Sequence, residues 1–238
     1  MNVFLIVIGA AALVVALAHA APFPFVLDAV HASRVTWRMP HAAGPPTVYL
    51  TYDDGPNPTA TPQLLDALAA HGVHATFFLI ERHITDETAP IVRRIAEEGH
   101  RIALHSHTRG KMLLRPDELA RVLTAFSQRV ERIAGRPACR AFRPHAGWRS
   151  SQMLEGLRRI DYQMIGWGFM LWDFDLFRQR SVRIVPRLVR QASPGDIIVI
   201  HDGHHENPRA DRRYAIDVTN ALIPELRKKG FDFGTICP

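Results

Sequence analysis

Two hydrophobic rhythms alternate along most of this chain. Short runs rich in β-branched and aromatic residues fall at 48–52, 75–80, 101–105, 140–143, 163–167 and 196–200, with a last one near Phe231. Between them, apolar residues recur every three or four positions at 62–70, 88–98, 116–134, 150–159, 182–191 and 210–229, the period of a helix with one buried face. The alternation predicts a βα series. Right-handed crossovers place the helices around a parallel sheet, and closure of about seven strands makes a barrel whose chemistry sits at the C-terminal ends of the strands. An open, doubly wound sheet is the alternative.

The polar residues that interrupt this pattern fall where such a barrel needs them. Asp53 and Asp54 follow the first long strand, His105 and Arg143 each end a strand, and His201 directly follows the apolar run 197–200. Polar groups converging on one mouth point to an enzyme rather than a scaffold. Consecutive side chains on a strand diverge, but the Gly55-Pro56 turn can bend both Asp53 and Asp54 into one pocket. There one carboxylate can ligate a divalent cation while the other takes a proton from water.

Composition and charge add the setting. A chain of 238 residues, 47% hydrophobic and 22% charged, is long enough for one good core and needs no second domain. A net charge of +6 favours an anionic neighbourhood. The basic residues are scattered and carry no nucleic-acid motif, so an envelope surface is expected and nucleic acid is not. Residues 3–18 are apolar and uncharged, and Ala18-His19-Ala20 has the small residues of a processing site. Residues 1–20 therefore read as a signal peptide or a retained membrane anchor, and the protein as exported to the periplasm or cell envelope. The proline-rich stretch 21–45 reads as a linker and 46–238 as the catalytic domain. Cys139 and Cys237 are the only cysteines, and pairing and separate burial are both open.

The individual constellations have definite chemistry. His105 opens His-Ser-His-Thr-Arg and is a candidate ligand beside Asp54, whereas His107, two residues along, would face away from it unless a turn intervenes. Phe142-Arg143-Pro144-His145-Ala146-Gly147-Trp148-Arg149 combines an arginine able to anchor a carboxylate with a loop able to offer an N–H to an oxyanion. The stretch 167–175 mixes aromatics, Trp172 among them, with Asp173 and Asp175, and Asp173 can orient a histidine. His201, at the end of a fully apolar strand, is placed for a general acid. The loop after it is rich in His and Arg and reads as a solvated basic loop or, together with Arg109 and Arg149, as a site for an anionic group.

Together these residues resemble the NodB-type polysaccharide deacetylases, carbohydrate esterase family 4, over about residues 46–236. Thr51-Tyr52-Asp53-Asp54-Gly55-Pro56 is similar to the family's first motif, which implies Asp53 as catalytic base and Asp54 as metal ligand. Arg143-Pro144 with Gly147 resembles the third motif, Asp173 the fourth, and Ile198-Val199-Ile200-His201 the fifth, whose histidine is the general acid. The resemblance implies a distorted (β/α) barrel of seven strands preceded here by an apolar helix, a divalent metal, zinc first, and an acetylated glycan or glycolipid as substrate.

The second motif departs from the family. Where the family has a second histidine ligand, four residues after the first, this chain has Arg109, and arginine cannot ligate a metal. His107 and His145 are the candidates for the missing ligand. Arg109, Trp148 and Trp172 are candidate substrate contacts. A carbohydrate-binding protein of the same fold with an impaired metal site is the rival reading.

Overall fold

The computed structural model describes residues 3–20, 28, 34–40, 44–168, 171–173 and 182–237. In chain order the elements are α1 (Val3–Ala20), β1 (Val35–Thr36), β2 (Thr47–Asp53), α2 (Ala60–Ala70), β3 (Thr76–Ile80), α3 (Ala89–Glu97), β4 (Arg101–His105), α4 (Pro116–Ala134), β5 (Ala141–Arg143), α5 (Ser151–Arg159), β6 (Gln163–Ile165), α6 (Val185–Gln191), β7 (Ile197–His201), α7 (Arg213–Lys228) and β8 (Asp232–Gly234). Short 3₁₀ turns at Glu81–His83, Arg109–Leu113, His145–Gly147 and Val182–Ile184 lie between them.

The strands form one parallel sheet in the order β1-β6-β5-β4-β3-β2-β7, with β8 beside the start of β2. The sheet curls. Beyond β1, Met39 N–H donates to Gly195 O, and beyond β6, Gly168 N–H donates to Ile197 O and Asp173 N–H to Val199 O. These bonds draw the two edges toward each other, giving a distorted barrel rather than an open doubly wound sheet.

Strand parity sorts the side chains. Val48, Leu50, Tyr52, Phe77, Leu79, Ile102, Leu104, Phe142, Met164, Ile198 and Ile200 pack outward against the helices. Each meets a helical stripe such as Leu119, Leu123, Phe126 and Val130 of α4, spaced at the helical period. Fully burying one such side chain contributes about 1.5–3 kcal/mol. The intervening positions Phe78, Ala103, Ala141, Ile165 and Ile197 fill the inside of the curl. Continuing that alternation to the strand ends puts Asp53, His105, Arg143 and His201 on the inner face too. Register then aligns them, since Asp53 pairs with His201 across β2 and β7, and His105 with Arg143 across β4 and β5.

The segment 21–45, expected to be a linker, enters the domain where it is described. Val35 and Thr36 pair with Met164 and Ile165, and the buried Asp28 accepts from Nε and Nη2 of Arg149. A strand of two residues between prolines is too short for any periodicity to reveal. Cys139 and Cys237 form a disulfide with Cα atoms 6.0 Å apart, tying the chain end to the entry of β5. The apolar side chains of α1, such as Val3, Phe4 and Leu13, are exposed. Its C-terminal end meets the His145–Gly147 turn, where Arg149 N–H donates to His19 O at 2.8 Å. Among the described residues no helix is long and apolar enough to cross a membrane.

Candidate active site

Asp53 ends β2 inside the curl, only 3% exposed, and meets Arg143, which is fully buried. Arg143 Nη1 donates to Asp53 Oδ1 at 2.5 Å and to Thr51 Oγ1 at 2.9 Å. Its remaining donors go to Ile165 O and Gly166 O, and its guanidinium lies 3.9 Å from the Phe78 ring centroid. So many fixed partners hold the cation still. The pair is single-pronged rather than bidentate: Nη1 serves the carboxylate, while Nε and Nη2 serve the backbone.

Asp54 leaves the strand with φ of 72° and precedes a cis Gly55–Pro56 bond. Left-handed backbone, which aspartate tolerates, is what turns its side chain into the same pocket as Asp53. His83 Nδ1 donates to the Asp54 carbonyl at 3.0 Å and supports that turn. Burial raises the Asp54 pKa, but His105, followed by His201 and His145, outweighs it and holds the group well below the usual carboxylate range.

Asp54, His105 and His145 offer ligand atoms that all lie within 4.8 Å of one another. His105 Nδ1 donates to Arg143 O at 2.8 Å, which turns Nε2 toward Asp54 Oδ1, 3.3 Å away. That buried oxygen has no hydrogen-bond partner. A proton or a metal ion between these two atoms satisfies both. His145 adds a third acceptor, because burial, then His105 and His205, lower its pKa to about 4 and keep the ring neutral. Two imidazoles and a carboxylate fit a divalent metal such as zinc. His145 reaches this position from a strained turn: Ala146 has φ of 51°, and His145 N–H donates to Ser106 Oγ at 2.8 Å.

On the opposite side of the rim, His201 Nδ1 donates to Asp173 Oδ1 at 2.6 Å and His201 N–H to Asp173 Oδ2 at 2.7 Å. Burial alone would lower the His201 pKa, but Asp173, then Asp54 and Asp53, raise it to about 9. The ring is therefore protonated at neutral pH, with Nδ1 committed to Asp173. Tyr214 OH, on α7, donates to Asp173 Oδ2 at 2.6 Å. Sequence reasoning missed Tyr214, since nothing local to a tyrosine on an amphipathic helix marks it.

Two further residues shape the rim without a signal in the motifs. Buried Asp202 accepts from Thr61 Oγ1, and burial first, then Asp54 and Asp53, raise its pKa to about 7. Gly203 packs against the Asp-Asp-Gly-Pro turn so closely that a Cβ there would lie 2.0 Å from Asp54 O.

The other residues singled out in the sequence have varied surroundings. His107 is half-buried and outside the trio; burial, then Arg82 and Lys111, lower its pKa. Arg149 is fully buried against Asp28 and Trp37, so it serves the fold and offers nothing to a ligand. Arg109 is exposed, with Cζ 5.0 Å from the Trp148 ring centroid. Trp172 is half-buried, pairs with Val199 through a bridge and packs edge-on against Trp167. Asp175 lies outside the described residues.

The profile of the family described as Polysaccharide deacetylase matches residues 41–165. A peptidoglycan-N-acetylglucosamine deacetylase of Bacillus cereus is 30% identical over 203 residues, covering 85% of this chain and 91% of the relative. A chitooligosaccharide deacetylase of Rhizobium leguminosarum bv. trifolii is 31% identical over 200 residues, covering 79% of this chain and 89% of the relative. Among solved structures, a peptidoglycan N-acetylglucosamine deacetylase in complex with 4-naphthalen-1-yl-N-oxidanyl-benzamide superposes with a TM-score of 0.75 at 27% identity, covering 88% of this chain and 94% of that one.

Proposed function

The chain belongs to the polysaccharide deacetylase family and is a hydrolase of the sugar-deacetylase class, and from that premise we propose that it cleaves an N-acetyl group from an envelope polysaccharide or glycolipid. The observation that carries this reading is the arrangement of the rim: a buried carboxylate on an immobilised arginine, a protonated histidine on a buried carboxylate, and three metal-ligating groups among them. Asp54, His105 and His145 would hold the ion, read here as zinc. Bound there, it supplies Lewis acidity toward the acyl oxygen and makes water easier to deprotonate.

The chain's own residues do the rest. Asp53 takes the proton from the attacking water through Oδ2, because Arg143 occupies Oδ1 and keeps the carboxylate aimed. In the loop after Arg143, the N–H groups of His145, Gly147 and Trp148 are spent on Ser106, Pro144 and His145. Among the described residues the Ala146 N–H has no such partner, and it is the one assigned here to stabilise an oxyanion. His201 Nε2 protonates the departing amine as the C–N bond breaks, and acetate and the free amino sugar leave. Asp173 and Tyr214 act through His201, as positioning residues. The ground for a binding-only reading, Arg109 in place of a ligand, loses its weight because His145 joins Asp54 and His105.

The disulfide supports export, since such bonds persist in oxidising compartments. Metal analysis of the purified chain, with acetate release from N-acetylated and O-acetylated glycans before and after chelation, tests the whole reading. Release that survives complete metal removal would refute it.

A further inference from the structure

Arg109 stands four residues after His105 and starts the Arg109–Leu113 turn, which Thr108 Oγ1 caps by accepting from Gly110 N–H at 3.2 Å. Its guanidinium stacks on Trp148, three residues beyond His145, and is close enough for its charge to contribute to the depressed pKa of His145. Many of the described arginines have a carboxylate within ion-pair distance, among them Arg94 with Asp66, Arg158 with Glu155 and Arg209 with Glu87. Arg109 has none among the described residues and is exposed. It is a cation with no carboxylate partner among the described residues, held over an aromatic ring at the edge of the pocket that holds the reacting groups.

Two further features of the surroundings agree in sign. Lys111, two residues on, is half-buried, and burial lowers its pKa against the opposing charge of Glu81. Across the mouth, Arg82 donates to His205 O, and His205 packs against His145 with ring centroids 4.6 Å apart. A neutral sugar offers hydroxyls, which a carboxylate or an amide serves as well as a cation does. A stacked, unpaired guanidinium is instead pre-organised for the paired oxygens of a carboxylate or phosphate.

We propose that Arg109, held on Trp148, is a specificity-determining residue that binds an anionic substituent, a carboxylate or a phosphate, on the glycan whose acyl group is removed. This rests on the deacylase reading of the adjacent site. Arg109 thus serves the substrate where the family's second histidine would serve the metal.

The test is calorimetric binding to the full-length, metal-loaded Asp53→Asn protein, so that no turnover intervenes. The probes are a neutral oligosaccharide of N-acetylglucosamine, the same chain bearing lactyl carboxylates, and the same chain bearing 6-phosphates. At least one charged chain should bind about tenfold tighter than the neutral one, the size expected of a charge-assisted pair. Adding Arg109→Gln should remove that advantage while leaving the neutral chain's affinity unchanged, and Arg109→Lys should keep part of it. The advantage should also shrink as salt is raised. Whichever charged probe loses more to Arg109→Gln identifies the anion. No preference for either charged chain, or an equal loss for charged and neutral chains on Arg109→Gln, overturns the proposal; the second result would mean that Arg109 only covers Trp148. Failure of the wild-type protein to release acetate from any glycan would sink the deacylase reading separately.

Discussion

The two adjacent aspartates have different partners, and this predicts different consequences for one change. Asp53 is tied to Arg143 and Asp54 faces His105, so Asp53→Asn should keep metal content near that of the wild type while turnover falls by at least about a hundredfold, the usual worth of a general base. Asp54→Asn should lose both, and equal metal content in the two variants would show the roles to be misassigned. His201 predicts a pH limb. Its folded pKa of about 9 lies above the ordinary 6.5, so the stabilisation from its pairing is complete below about 6.5 and is lost as pH rises through about 9. Turnover that needs the protonated ring should fall over the same upper range. A cation on Asp54 cancels part of the field, so the limb of the loaded protein should lie somewhat below 9. Asp173→Asn should move it further, toward 6.5, and a pH–rate profile that stays put in that variant would remove His201 as the acid.

At the scale of elements, strand ends were far more legible than loops. Arg101–His105 and Pro116–Ala134 have the bounds that periodicity indicates, because apolar alternation and an N-terminal proline are local signals. Asp53, His105, Arg143 and His201 share the inner face because each sits in phase with the inward residues of its own strand. The His145–Gly147 turn was not legible, since no propensity marks an alanine at φ of 51°, and that turn is what brings His145 rather than His107 to Asp54. Tyr214 and the β1 pairing depend on contacts between segments distant in sequence, which local patterns do not encode. The same interlocking of loops makes Gly203 consequential. Its Cβ would meet Asp54 O and C at 2.0 and 2.2 Å, so Gly203→Ala must push the turn after β2 away from the loop after β7. Overpacking of this kind costs about 1–3 kcal/mol. Metal titration should show weakened binding along with lowered stability; unchanged affinity would mean that the Asp54 position does not depend on this contact.

Across the whole molecule, the rim carries the chemistry and the opposite end of the strands carries the covalent tie. Cys139 lies just before β5 and Cys237 just after β8, and the Cys237 carbonyl accepts from Arg101 Nε at the start of β4, so the disulfide braces the N-terminal ends of the strands. It closes a sequence separation of 98 residues, long enough for a large restriction of the unfolded chain. Removing it should cost about 2–4 kcal/mol. For a chain of this size that corresponds to a fall in the unfolding temperature of roughly 5–15 °C. Because the bond is remote from Asp53, Asp54 and His201, the Cys139→Ser/Cys237→Ser double variant should keep wild-type turnover and metal affinity at 25 °C while melting earlier. Differential scanning calorimetry beside acetate-release assays separates these effects. An unchanged melting temperature would mean that packing alone holds the chain end. A large loss of activity in a protein that is still folded would mean that the N-terminal ends of the strands communicate with the rim through the inner layer of Phe78, Ala103, Ala141 and Ile197, which Cys139 joins and Cys237 packs against.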